Sequence, residues 1–387
     1  MGLSADFKKF ISSQFPKACE PPTSPADGIV VDVMVYLHSF VERENDAEPA
    51  QKLVDSIIWA ANGATSAVFC FDNSKDTPAA KEVEFAKRPQ PTRTFTDDEI
   101  RSALMMDILP DYKNLIQSRN ARTVLCDWIV EQLTTRFVTQ KNMKTVYFFG
   151  TSEVPMMYTK EPAITLTLRH DLAKQLHGES DISGIYAAHI LKKECNAAVV
   201  ELRTVDTDWV VIGMLNPFEG LRIRLQHFDR RIGTFVSWFA DISMLCKMVV
   251  TQYKIAVQEF CLLCLSKGSD YVQNAIAGFP DWPMYIDSCA RELIRVKTRA
   301  GEVVEDGRIN GAALHAVFVE ASANKKRSKL NYNKTDGFLT RLAFNYFYFS
   351  QAPLRGGKHL NCFDFGWVRD GSGVVKLNNS YKDVISI

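Results

Sequence analysis

Apolar residues recur along this chain in two patterns, short continuous runs and helically spaced stripes. Gly28-Ile-Val-Val-Asp32 is an apolar run of the buried-strand kind, and Met34, Tyr36, Leu37 and Phe40 follow it at helical spacing. Asp32 therefore stands where a strand ends and a helix begins. The pattern returns at Ser66-Ala-Val-Phe-Cys-Phe-Asp72, and again between Ala197 and Asp208, where Val199, Val200 and Leu202 lead into Val205-Asp-Thr-Asp208. Lys144-Thr-Val-Tyr-Phe-Phe149 predicts another buried strand, and residues 97–140 predict helix, with Trp128, Ile129, Leu133 and Phe137 as one stripe. Further helices are expected from about Phe235 to Leu265 and from about Tyr285 to Val296. Phe7, Phe10, Ile11 and Phe15 form an amphipathic opening, after which Cys19 to Gly28 reads as a loop. In the tail, Phe338 to Phe349 is strongly aromatic, and Phe363 to Tyr381 alternates around Asp370-Gly-Ser-Gly373 as a hairpin would.

Strands alternating with helices imply a mainly parallel sheet covered on both faces. The functional crevice of such a sheet lies outside the carboxyl ends of its strands. Three strand ends here carry acids, so that crevice is where the chemistry is expected. Asp206 and Asp208, two apart on a segment read as extended, would point to one face. Glu179 and Asp181 sit in the turn opening a helix whose apolar positions are Ile182, Ile185, Tyr186 and Ile190, and Asp270 follows a glycine turn in Gly268-Ser-Asp-Tyr271. Were these acids to converge, a single pair about 4 Å apart would cost roughly 4 kcal/mol at an effective dielectric of about 20, so only cations make the cluster tolerable. Oxygen ligands without nearby Cys or His favour two Mg²⁺ or Mn²⁺ ions, which together suit phosphodiester hydrolysis.

The 387 residues are 46% apolar and carry a formal charge of +1, enough for one large domain or two smaller ones and neutral on the question of a nucleic-acid partner. Nine cysteines spread along the chain, with no apolar secretory stretch at either end, point to a reducing interior and an intracellular rather than secreted protein. Cys261 and Cys264 have no matching second pair and are expected to be plain buried cysteines. Met244 to Leu265 is interrupted by Lys247, Gln252, Lys254, Gln258 and Glu259; it reads as one buried amphipathic helix, and no membrane is expected. No Walker loop, His-Glu-x-x-His or Gly-x-Ser-x-Gly pattern is present, which removes the usual starting points for nucleotide hydrolysis, zinc proteolysis and serine hydrolysis.

In order and approximate spacing, the motifs from residue 1 to about 275 resemble those of the flap endonuclease and XPG group of structure-specific 5′ nucleases. Met1-Gly2-Leu3 is similar to that group's usual start, Val31-Asp32 with Tyr36-Leu37 to its first metal-ligand strand, and Phe71-Asp72-Asn73 to its second. Lys81-Glu-Val-Glu-Phe-Ala-Lys-Arg88 resembles the segment beginning its helical arch. Gly178-Glu-Ser-Asp181 resembles its Glu-Ala-Glu-Ala motif, Val205-Asp-Thr-Asp208 its paired aspartates, and Gly268-Ser-Asp-Tyr271 its Gly-Cys/Ser-Asp-Tyr signature.

The resemblance implies a PIN-like α/β fold: a three-layer sandwich around a mainly parallel sheet, a helical arch insertion and a C-terminal α+β extension. Residues 1–290 would be the catalytic domain, with 89–178 as arch or gateway, and 291–387 the extension. It further implies that Asp32, Asp72, Glu179, Asp181, Asp206, Asp208 and Asp270 hold two ions, and that Lys81 and Arg88 meet the scissile phosphate. Gly2 and the basic cluster Lys325, Lys326, Arg327 and Lys329 are candidate nucleic-acid contacts, the cluster equally an exposed loop or a nuclear address.

The activity implied is cleavage of flapped, gapped or branched DNA in replication, repair or recombination, in a nucleus or at a viral cytoplasmic replication site. An RNA nuclease of the same fold and a DNA-binding scaffold without catalysis are the alternatives. The sequence departs from the group where Gly278-Phe-Pro-Asp-Trp-Pro283 replaces a duplex-gripping helix-hairpin-helix, and no sliding-clamp motif is found. These departures, with the aromatic tail around Phe363, Phe365 and Trp367, are similar to divergent members from large DNA viruses.

Overall fold

β-Branched and aromatic runs too short for helices pair here as strands, and their side-chain alternation sets the layers of the molecule. A computed structural model describes residues 3, 5–43, 49–72, 79–82, 90–173, 179–229, 234–269, 272–305, 308–333, 337–355 and 360–377. Among these, β1 (Gly28–Asp32), β2 (Ser66–Cys70), β3 (Thr145–Phe149), β4 (Met156–Thr159), β5 (Thr165–Leu168), β6 (Val200–Thr204), β7 (Leu221–Asp229) and β8 (Thr234–Asp241) form one sheet in the order β5-β4-β3-β2-β1-β6-β7-β8. The five central strands run parallel, and antiparallel strands close both edges.

Alternation along the central strands divides the core between two faces. Val30, Val68, Tyr147 and Leu202 pack with the Ser180–Glu194 helix on one face. Ile29, Val31, Ala67, Phe69 and Phe148 point the other way, under helices Val33–Arg43, Ala50–Ala60 and Arg119–Thr139. This is the expected three-layer α/β architecture with a mainly parallel centre. The expected boundary at 290 falls inside the helix Trp282–Ala300, whose Tyr285, Ile286, Leu293 and Val296 enter the first-face core together with residues of the opening helix and of the C-terminal helix Phe338–Arg355.

Two expected elements differ. The stretch from Phe235 to Asp241 is β8, not helix, because β7 lies antiparallel beside it with Leu225 opposite Trp238. Short apolar runs do not reveal by periodicity alone which partner they will find. Met244 to Leu265 is not one helix but two, Ile242–Tyr253 and Val257–Ser266, bent by 87° about Lys254 in the left-handed conformation (φ 59°). Among the described residues, no single helix is long and apolar enough to cross a membrane.

Packing between two of the helices that position the acids is unusually tight. A Cβ added at Gly184 would lie 2.0 Å from the Trp209 ring, so only glycine lets the Ser180–Glu194 helix approach the Asp208–Leu215 helix this closely.

Candidate active site

Parallel pairing brings the ends of β2, β1 and β6 side by side: Asp32 is in register with Cys70, and Val31 with Arg203. Asp32 closes β1 and is buried, with Oδ1 accepting from the Met34 backbone N–H at 3.1 Å and Oδ2 from the Thr204 hydroxyl at 3.0 Å. Burial, with the Asp72 and Asp206 charges added to it, pushes the Asp32 carboxyl up to about 7, against the downward pull of the Thr204 and Ser180 hydroxyls. The Asp72 and Asp206 charges, beyond the ends of the two strands flanking β1, thus oppose ionisation of Asp32.

Asp72 is exposed, and its Oδ1 accepts from the Ser180 backbone N–H at 2.9 Å. That contact puts a carboxylate at the positive end of the Ser180–Glu194 helix dipole. Glu179 occupies the N-cap position of the same helix and is buried, and Asp181 lies in its first turn, its Oδ1 accepting from the Ile182 N–H at 2.8 Å. The Ser180 contact brings the opening of this helix to Asp72, just beyond the end of β2.

The pair Asp206 and Asp208 is held differently from the extended segment expected. Thr207 is in the helical region (φ −72°, ψ −18°), Asp208 begins the Asp208–Leu215 helix, and the Asp208 N–H donates to Asp206 Oδ1 at 2.9 Å. A side chain accepting from the backbone two residues on makes a turn, and that turn competes successfully with strand. Asp208 is buried and accepts the Leu3 backbone N–H at 2.7 Å, while the Thr207 hydroxyl donates to the Leu3 carbonyl at 2.6 Å.

Asp270, Arg88 and Gly2 lie outside the described residues, and Lys81 is described only by its backbone, at the end of the 3₁₀ turn Ala79–Lys81. Among the described residues, no group of three or more His, Cys, Asp or Glu is gathered closely enough to hold a metal ion. The donor chemistry fits a hard divalent cation nonetheless. The candidate ligands are carboxylate oxygens, and burial, with the Asp72 and Asp206 charges added, raises the proton affinity of Asp32, a cost to its charged form that a cation would relieve. The cysteines are free, and burial pushes the Cys261 and Cys264 thiols well up, away from the thiolate form a soft metal needs.

The basic cluster packs beside the strand Ile276–Ala277. Lys325 lies with its ammonium 4.7 Å from the Phe279 ring centre, Lys329 pairs with Ala277, and Lys326, Arg327 and Lys329 are exposed. Sequence reasoning passed over Thr204, whose hydroxyl joins Asp32 to the Asp206 turn by also accepting the Asp206 N–H at 3.1 Å. It also passed over Arg119 and Arg122, which line a cleft of about 120 Å³ beside Asp72 together with Thr123, Thr151 and Ser152. Only the position of Thr204, two residues before Asp206, could have marked it; the arginines carried no such signal.

No protein-family model and no curated protein matches the sequence. Among the solved structures similar to this fold are two of one protein. One is the bacteriophage T5 D15 protein co-crystallised with metal ions, at 12% identity and a TM-score of 0.37, covering 84% of this chain and 89% of that one. The other is a bacteriophage T5 D15 flap endonuclease pseudo-enzyme–product complex with DNA and metal ions, at 10% identity and a TM-score of 0.36, with 84% and 89% covered.

Proposed function

We propose that this chain is a divalent-metal-dependent nuclease that hydrolyses phosphodiester bonds in flapped, gapped or branched DNA. One observation carries the reading: Asp32 is buried at the end of β1, held by the Thr204 hydroxyl that also accepts the Asp206 N–H, with the Asp72 and Asp206 charges acting on it. A buried carboxylate facing like charges at the crevice of the sheet is costly to keep without a cation.

Asp32, Asp72, Glu179, Asp181, Asp206, Asp208 and Asp270 would hold two Mg²⁺ or Mn²⁺ ions. Ions held there would supply water activation and charge neutralisation at a phosphodiester. The protein's own contribution is orientation. Thr204 fixes the Asp32 carboxylate, the Ser180 N–H fixes Asp72, and the Leu3 N–H fixes Asp208. Lys81 and Arg88 would meet the phosphate from the segment following Asp72 and stabilise charge developing on it.

The test is cleavage of end-labelled 5′-flap DNA, gapped duplex and single-stranded RNA in Mg²⁺, with Asp206→Ala plus Asp208→Ala as the control. Flap or gap cutting that falls at least about a hundredfold in the double variant is the expected result, since loss of first ligands costs more than loss of the groups that orient them. RNA cutting alone would move the substrate to RNA. Absence of cutting by the parent chain in either Mg²⁺ or Mn²⁺ would leave a scaffold.

A further inference from the structure

We propose that the C-terminal hairpin is a brace that fixes the turn Ala79–Glu82 and thereby positions the segment that carries Lys81. The role of Lys81 in this statement rests on the nuclease reading above; the brace itself rests on packing. Strands Trp367–Arg369 and Val375–Leu377 pair antiparallel, with Val368 opposite Lys376. Asp370 Oδ1 closes their turn by accepting from the Ser372 N–H at 2.9 Å, the Ser372 hydroxyl at 2.6 Å and the Val374 N–H at 3.0 Å. A turn tied this way holds its own shape, so the hairpin can act as a rigid unit.

That unit is anchored on one side and reaches the turn on the other. Trp367 and Phe365 pack on Phe344 of the Phe338–Arg355 helix, with ring centres 5.2 and 5.4 Å apart. Trp367, Val375 and Cys362 are buried in the same core as Ala80, and the second hairpin strand packs directly on the Ala79–Lys81 turn. Arg369 then crosses to Glu82, its Nη2 3.2 Å and its Nη1 3.4 Å from the carboxylate oxygens, although 287 residues separate the two in sequence. The same guanidinium donates to the Gly373 carbonyl at 2.6 Å and stands 5.8 Å from the Phe363 ring centre, so it is itself held from behind.

Both charged side chains are about half exposed, and an exposed ion pair adds little to stability. The buried Ala80 contact holds the turn, while the ion pair selects its register. The observable consequence is local: disturbing the pair should loosen residues 79–82 and slow turnover without unfolding the protein.

A charge-reversal cycle on the full chain tests this with Arg369→Glu, Glu82→Arg and the double variant. Backbone hydrogen exchange of a peptide spanning residues 79–82 gives a readout independent of catalysis, and kcat and KM on the cleaved DNA give the second. Each single reversal is expected to speed exchange and to lower kcat by about threefold to tenfold with KM nearly unchanged, and the double variant to bring both back to within about twofold of the parent. Parent-like exchange in both single variants, or a double variant no nearer the parent than the singles, would overturn the brace. Faster exchange with unchanged kcat would overturn the positioning role. If the parent chain cuts no nucleic acid, the nuclease reading fails while the exchange cycle still decides the brace.

Discussion

Replacing Asp32 by Asn separates the electrostatics of the acid edge from its chemistry. Asp32 is buried, and its carboxyl is raised from the ordinary 3.8 to about 7, first by burial and then by the Asp72 and Asp206 charges. At about 1.4 kcal/mol for each tenfold change in proton affinity, an ionised Asp32 costs the cation-free folded state about 4 kcal/mol. Asn has nearly the same shape and carries no charge. It keeps one acceptor for the Met34 N–H and a donor toward the Thr204 hydroxyl, at a loss of about 1 kcal/mol in hydrogen-bond quality. The variant should therefore be more stable than the parent by about 2–3 kcal/mol in EDTA at about pH 8. The sign with pH follows from a proton affinity that is higher folded than unfolded. Protonation stabilises the fold, the benefit is complete below about 3.8, and it is lost as pH rises through about 7. Lowering pH from about 8 to about 5 should accordingly stabilise the parent relative to Asp32→Asn and close most of the gap. Urea denaturation of both proteins in EDTA at the two pH values measures this. A variant less stable than the parent at the higher pH, or a gap that does not narrow on acidification, refutes the reasoning.

Adding Mg²⁺ should stabilise the parent by mass action, by about 2.7 kcal/mol at a hundred times the dissociation constant, and should stabilise Asp32→Asn less; a thermal shift equal in both would remove Asp32 from the cation site. Thr204→Val deletes a hydroxyl that lowers the Asp32 proton affinity, so the pH at which cation-free stability falls should move upward, and an unmoved midpoint would contradict the assignment. Gly184→Ala drives a methyl into the Trp209 ring and should cost about 1–3 kcal/mol in urea denaturation, with activity falling as the two site helices separate; unchanged stability would show that the contact yields easily.

The sequence made the acid edge readable because each apolar run stops abruptly at a polar residue. Asp32 and Asp72 could be placed at the ends of β1 and β2 from local order alone, as could Glu179 and Asp181 at a helix opening. What it concealed depends on partners distant along the chain or on side chains bonding to backbone. The Asp206–Asp208 segment reads as extended until the Asp208 N–H finds Asp206, and the apolar content of β8 is ambiguous until β7 lies beside it. The hairpin around Asp370 was legible from its turn residues, whereas its contact with Glu82 joins positions whose proximity no local pattern encodes.

The attachment of Leu3 to Asp208 and Thr207 has a practical consequence for handling the protein. Leu3 is bonded to Asp208 and Thr207, so a polyhistidine tag joined near it would bring a cation-binding run close to Asp208, and a bulky leader would strain the Leu3 N–H away from that carboxylate. Assays on protein tagged at that end would report partly on the tag. Material carrying a tag at the other end of the chain is the sounder basis for judging whether the acids turn over substrate.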